Sequence, residues 1–134
     1  MKKIVVIGGG ASGIVAAIAA ARTDEKAKVY IVEQKEKLGK KILATGNGRC
    51  NLTNLDMTET AFRGDSMKIV ASVLSLFDQN QTLEFFSSLG LVTKCRDTYV
   101  YPRSDQAQTV VTLLTEELKR LGVTCMTEVK VTGI

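Results

Sequence analysis

The 134 residues hold 18 Lys and Arg against 14 Asp and Glu, a net charge of +4, with 45% hydrophobic and 24% charged residues. These are the proportions of a soluble globular protein with one cored domain, too short for two ordinary ones. No His is present, which removes the usual neutral-pH acid–base group and the commonest metal ligand. Cys50, Cys95 and Cys125 lie far apart without a CxxC pair, so neither a zinc site nor a disulfide framework is expected, and a reduced, cytoplasmic protein is.

KIVVI (3–7) is a continuous β-branched run, the pattern of a strand buried in a parallel sheet. GGGASG follows, then IVAAIAAAR, in which Ile14, Ala17, Ile18 and Ala21 share one helical face. Ile4 to Ala21 approaches the length of a membrane span behind a basic start, but the glycines divide it into strand and helix, so no membrane is expected. KVYIVEQ (28–34) is the next strand, completing a βαβ unit.

Gly8, Gly10 and Gly13 satisfy G-x-G-x-x-G at the strand–helix junction. Gly8 permits the tight turn, Gly10 the approach of a pyrophosphate, and Gly13 close packing of helix on strand. N–H groups around Ala11, Ser12 and Gly13 are expected to point at phosphate oxygens. Glu33 ends the second strand, where a carboxylate accepts from a ribose 2′-OH. The motif predicts a dinucleotide and leaves nicotinamide or flavin open.

Beyond KEKLGKK (35–41) comes ATGNGRCNLTN (44–54), too polar for a strand and unpatterned for a helix. SMKIVASVLSLF (66–77) puts Val70, Val73, Leu74 and Phe77 on one stripe, and a shorter helix over 80–89 ends at Gly90. LVTKC and TYVYP form a β-hairpin near 91–101. Ser104 or Asp105 caps a helix to Leu121, Asp105 and Gln108 matching a capping box, with Val111, Leu114, Leu118 and Leu121 as its buried stripe. VTCM and VKVTGI are read as final strands, the last reaching Ile134 without a polar tail.

With VVIGGGASGIVAAIAAA and VYIVEQ before it, KLGKKILATGNGRCNLTN (37–54) resembles the BaiN/YhiN flavoprotein family, as does YVYPRSDQAQTVVTLLTEELKRLGV (99–123). The resemblance implies an α/β, Rossmann-like FAD-binding domain of the glutathione-reductase-like, two-dinucleotide-binding type. Residues 1–134 would be its N-terminal part, the rest of the FAD domain and the substrate-side domain being absent. It implies an oxidoreductase passing a hydride from NAD(P)H through FAD to an electron-poor small-molecule acceptor, by enone or steroid-like reduction or in amine oxidation. Lys40 and Lys41 are placed to neutralise the pyrophosphate. Gly46 and Gly48 let backbone amides turn toward a ligand, Arg49 offers a planar fork, and Asn51, Thr53 and Asn54 supply neutral donors and acceptors. Val131, with Val129 as same-face alternative, matches the strand that meets adenine in that fold.

The alternatives are simpler. Lys41 is equally an ordinary solvated charge, the asparagines satisfy turn backbone, and Cys50 is more readily a packed thiol than a redox group. An NAD-linked Rossmann dehydrogenase accounts for Gly8 to Glu33 and leaves 37–54 unexplained. A non-catalytic nucleotide-binding module predicts binding without turnover. Nucleic acid is not expected, because the basic residues are scattered and aromatics are only 5%. An unfinished sheet edge would be free to pair with a second copy.

Overall fold

The computed structural model describes residues 1–134. β1 (Lys3–Ile7), α1 (Ala11–Thr23) and β2 (Lys28–Val32) form the expected unit, and β6 (Thr124–Met126) adds a third strand, giving a parallel sheet in the order β1-β2-β6. Ile7 stands opposite Val32, and Val32 opposite Met126, so the strands present their C-terminal ends together. A ligand site lies beyond such ends in open α/β sheets.

One sheet face is covered by α1 and α5 (Ala107–Arg120). Ile14, Ala17, Ile18 and Ala21 are buried there, with Val29 and Ile31 from β2 and Val110, Val111, Leu114 and Leu118 from α5. The other face is open: Val5 and Ile7 are 58% and 51% exposed. A parallel sheet normally has both faces covered, so β1, continuous in hydrophobicity, is only half used here.

A second sheet, antiparallel in the order β3-β5-β4, consists of β3 (Thr53–Asn54), β4 (Thr93–Arg96) and β5 (Tyr99–Pro102). It contains the expected hairpin, Cys95 opposite Val100, and it adds Thr53 opposite Val100 on the far side. The polar loop is therefore held partly by the protein itself, an element that local sequence did not announce. α2 (Lys40–Ala44) and 3₁₀ turns at Thr45–Gly48 and Glu59–Ala61 were likewise not expected.

Two expectations are corrected. Asp105 is not a helix cap: it adopts φ 56 and faces Lys94 and Arg96, while Gln106 occupies the cap position without a side-chain bond. The capping box belongs instead to α4 (Gln79–Ser88), where Asp78 and Gln81 exchange bonds of 2.9 Å. The helix expected over 66–77 is present as α3 (Met67–Leu76), with its stripe open: Val73 and Phe77 are 54% and 46% exposed and no residue of the helix is buried. VKVTGI is not a strand: Glu128 turns at φ 58, and only Glu128 and Val129 donate to β2's extension, at Lys35 O and Glu33 O.

Candidate functional site

The glycine turn places three kinds of surface around one helix end. Gly8 has φ 100 and donates to Val32 O at 2.8 Å, tying the turn to β2. A Cβ on Gly13 would stand 1.9 Å from Gly8 O, so only glycine lets α1 begin so close to β1. A Cβ on Gly10 would meet nothing within 4 Å: this glycine leaves room on the ligand side. No side chain caps α1, and its first backbone bond runs from Ile14 N to Gly10 O at 3.0 Å. The N–H groups of Ala11, Ser12 and Gly13 are thus left for an anion at the positive end of the helix.

Beside this turn, Gly39 N donates to Gly9 O at 2.7 Å and brings α2 against it. The result is a cleft of about 330 Å³ with Gly9 and Gly10 on one wall and Lys35, Lys37, Lys40 and Lys41 on the other. Lys40 pairs with Glu36 at 2.9 Å on the exposed surface, a weak tie. Glu33 also borders the cleft, and its carboxylate accepts from Gly9 N and Lys35 N, both at 2.7 Å. The Lys35 amide, then the Gly9 amide, hold its carboxyl below the usual range, so it remains an acceptor. The lysines therefore give the cleft a positive surplus suited to phosphate.

Around the other side of Gly8, a cleft of about 230 Å³ is walled by Ile7, Val32, Glu33, Val129 and Val131. Both valine candidates are present, so the chain's last segment reaches the glycine turn although it is not a strand. An apolar slot, an ionised carboxylate and a lysine-lined cleft thus meet at one glycine turn.

The third surface is an apolar cleft of about 380 Å³ between α1, the 45–52 loop and α5. Ser12, Thr45 and Asn51 give it polar atoms, while Val15, Phe86 and Leu114 line its apolar walls. The loop is shaped by left-handed residues: Gly46 at φ 55, Asn47 at 54, Gly48 at 79 and Cys50 at 61. Asn51 with its amide nitrogen turned inward donates to Thr53 O and Val100 O at 3.0 and 3.2 Å. Thr53 is buried, and its Oγ1 has no partner. Cys50 is 6% exposed, and burial raises its thiol pKa, which fits packing and not redox reactivity.

The structure thus gathers Gly8, Gly10, Ala11, Ser12, Gly13, Glu33, Lys40, Lys41 and Val131 around one turn, and Gly46, Asn51 and Thr53 on the adjoining loop. Arg49 departs from this group: its guanidinium lies over the Tyr101 ring and lines neither cleft. Lys35 and Lys37 join the cationic wall unannounced, although KEKLGKK carried the signal. Phe86 and Leu114 carried none, because only chain packing brings them to the loop.

The HI0933-like protein Rossmann domain matches residues 2–134. The chain belongs to the HI0933-like family. Over all 134 of its residues it is 58% identical to a 3-dehydro-bile acid delta(4,6)-reductase of Clostridium scindens, covering 33% of that protein. It is 28% identical over 120 residues, 90% of the chain, to a ribosomal RNA dihydrouridine synthase of Escherichia coli, covering 30% of it. A Haemophilus influenzae protein of the same name is 25% identical over 118 residues, 88% of the chain and 29% of that protein. The chain spans about a third of the length of these curated relatives. Thermovibrio ammonificans THI4 superposes with TM-score 0.62 at 16% identity, over 94% of this chain and 38% of the other. The Diels-Alderase PyrE3 of pyrroindomycin biosynthesis superposes at 0.51 with 12% identity, over 99% of this chain and 26% of the other. Those two likenesses show the fold alone. The Rossmann reading of the HI0933-like domain therefore stands on sequence and on architecture.

Proposed function

We propose that the chain is the FAD-binding part of a flavoprotein oxidoreductase that reduces a carbonyl-conjugated C=C bond in a small organic acceptor, with NAD(P)H as donor. The observation that carries this is the 58% identity, over the whole chain, to a protein named for reducing a bile acid. The site fits the cofactor: an open space at Gly10, free amides at α1, and an ionised acceptor at Glu33. FAD supplies a two-electron carrier that delivers hydride to an electron-poor carbon, chemistry that amino-acid side chains do not supply themselves.

Ala11, Ser12 and Gly13 would hold the diphosphate with Lys40 and Lys41 neutralising its charge, and Gly10 would admit it. Glu33 would take the adenosine ribose, with Val129 and Val131 against the adenine. Gly46, Asn51 and Thr53 would border the flavin side, where the apolar cleft excludes water. No residue of the chain is assigned to the proton that accompanies the hydride. The three free cysteines support a reducing, cytoplasmic setting, and no helix is long and apolar enough to cross a membrane.

A second reading takes its support from the two relatives named as ribosomal RNA dihydrouridine synthases. Uracil also presents a carbonyl-conjugated C=C, so the same reduction would act on RNA. The higher identity favours the small acceptor. The test is a visible spectrum of the purified protein with added FAD, followed by anaerobic mixing of the reduced form with an enone steroid or with a uridine-rich RNA. A bound flavin reoxidised by the enone supports the proposal. A melting temperature raised by NAD and not by FAD refutes it in favour of an NAD-linked dehydrogenase.

A further inference from the structure

The hairpin and the glycine-rich loop bring two guanidinium groups to one aromatic ring, with Lys94 beside them on the hairpin, and neither the lysine-lined cleft nor the apolar cleft uses them. The Arg49 and Arg96 guanidinium carbons lie 5.9 and 5.8 Å from the centroid of Tyr101. Lys94 and Arg96 both reach Asp105 Oδ2, Arg96 at 2.9 Å. Two cations thus share one carboxylate, and with Arg49, which has no acidic partner, the cluster keeps two positive charges in excess. Arg49 gives only its Nε to Gly46 O, at 3.3 Å, so both terminal nitrogens of its fork have no partner.

These charges are held in place. Arg49 is carried by a turn whose residues Gly46, Asn47 and Gly48 are all left-handed. Tyr101 packs on that turn, its ring 3.4 Å from where a Cβ of Gly46 would lie. Asp105, also left-handed at φ 56, fixes Lys94 and Arg96 from the other end. Such backbone conformations cost free energy in L residues, and ordinary solvated surface charges do not require them. The opposite side of the same loop, through Thr45 and Asn51, lines the apolar cleft.

We propose that Arg49 and Arg96, seated on Tyr101, bind a carboxylate carried by the molecule that is reduced. This rests on the reductase reading above, and it moves Arg49 from the flavin to the acceptor. A planar guanidinium fork with unused donors matches a carboxylate, and the bond is charge-assisted. The relative at 58% identity is named for an acid, a molecule of this kind. A cationic anchor on the loop beside an apolar cleft suits an acceptor that is apolar along its body and negatively charged at one end.

The test measures equilibrium binding of cholate and of its methyl ester to the purified protein by calorimetry. The acid is expected to bind about tenfold tighter than the ester, and increasingly less so as salt rises. In Arg96→Gln the preference should fall below about twofold, and Arg96→Lys should restore part of it because charge returns without the fork. A parallel melting curve shows that each variant folds. Equal binding of acid and ester, an undiminished preference in Arg96→Gln, or binding of neither overturns the proposal, as does binding of oligouridylate in place of cholate. Failure of the reductase reading itself would appear separately, as a protein that takes up no flavin.

Discussion

Glu117→Gln tests how α1, whose N-terminus carries the uncapped amides of the glycine turn, is fixed to α5. Glu117 is 8% exposed and receives Arg22 Nε and Nη2 at 2.9 and 2.7 Å, and Arg120 Nε at 2.6 Å. Hydrogen bonding from Arg120, with Arg22 assisting against the opposing effect of burial, lowers its carboxyl from 4.5 to about 2. At about 1.36 kcal/mol per pKa unit this sets a ceiling of about 3 kcal/mol on the carboxylate's contribution. The side chains of Arg22 and Arg120 are 35% and 65% exposed, so water screens both pairs. The expected loss on neutralisation is therefore about 1–2 kcal/mol. For a chain of this length that lowers the melting temperature by about 4–7 °C at pH 7.

The sign with pH follows from a folded pKa below the unfolded one. The stabilisation is complete above the unfolded value of 4.5 and disappears as pH falls through about 2. Melting followed by circular dichroism, for wild type and variant at pH 7 and again near pH 2, should show a deficit that closes in acid. A deficit that persists unchanged near pH 2, or none at pH 7, would show that the ion pairs do not tie the helices as argued.

Gly10→Ala should cost only about 0.5–1 kcal/mol of stability, as a poorer N-cap whose Cβ meets nothing, yet abolish FAD uptake seen in the visible spectrum. Gly13→Ala should cost about 2 kcal/mol or more in denaturant unfolding, since its Cβ collides with Gly8 O at 1.9 Å. Cys50→Ala should lose about 1 kcal/mol of packing while leaving the flavin spectrum unchanged, and the wild-type thiol should react slowly with a disulfide reagent near neutral pH, its pKa being raised by burial. Reactivity matching that of a free thiol would reopen a redox role for Cys50.

Much of the architecture around the glycine turn was legible because it is local. Strand, glycine turn, helix and second strand lie within about 30 residues, and each glycine's task follows from backbone geometry alone. Glu33 was legible for the same reason: its place at the end of β2 is fixed by counting. The buried stripe of α5 emerged from periodicity, and Leu114 and Leu118 lie where the pattern puts them. Periodicity also found the helix α3, but not that its apolar face lies open, because an apolar face requires a surface to pack against and this structure gives Val73 and Phe77 none. Asp105 looked like a cap from its spacing to Gln108, but two cations in the hairpin drew its carboxylate away from the helix.

The sequence by itself determined the βαβ unit, the glycine turn and the acidic residue at β2's end, because these depend on neighbours in the chain and on the conformational freedom of glycine. Tertiary structure alone decided that the 44–54 loop pairs with β5, that Arg49 turns to Tyr101 instead of the lysine-lined cleft, and that Val129 and Val131 reach Gly8. Each of those outcomes joins segments about 50 residues apart or more, where the partner's position is set by packing of helices on a sheet and leaves no local trace in composition or period.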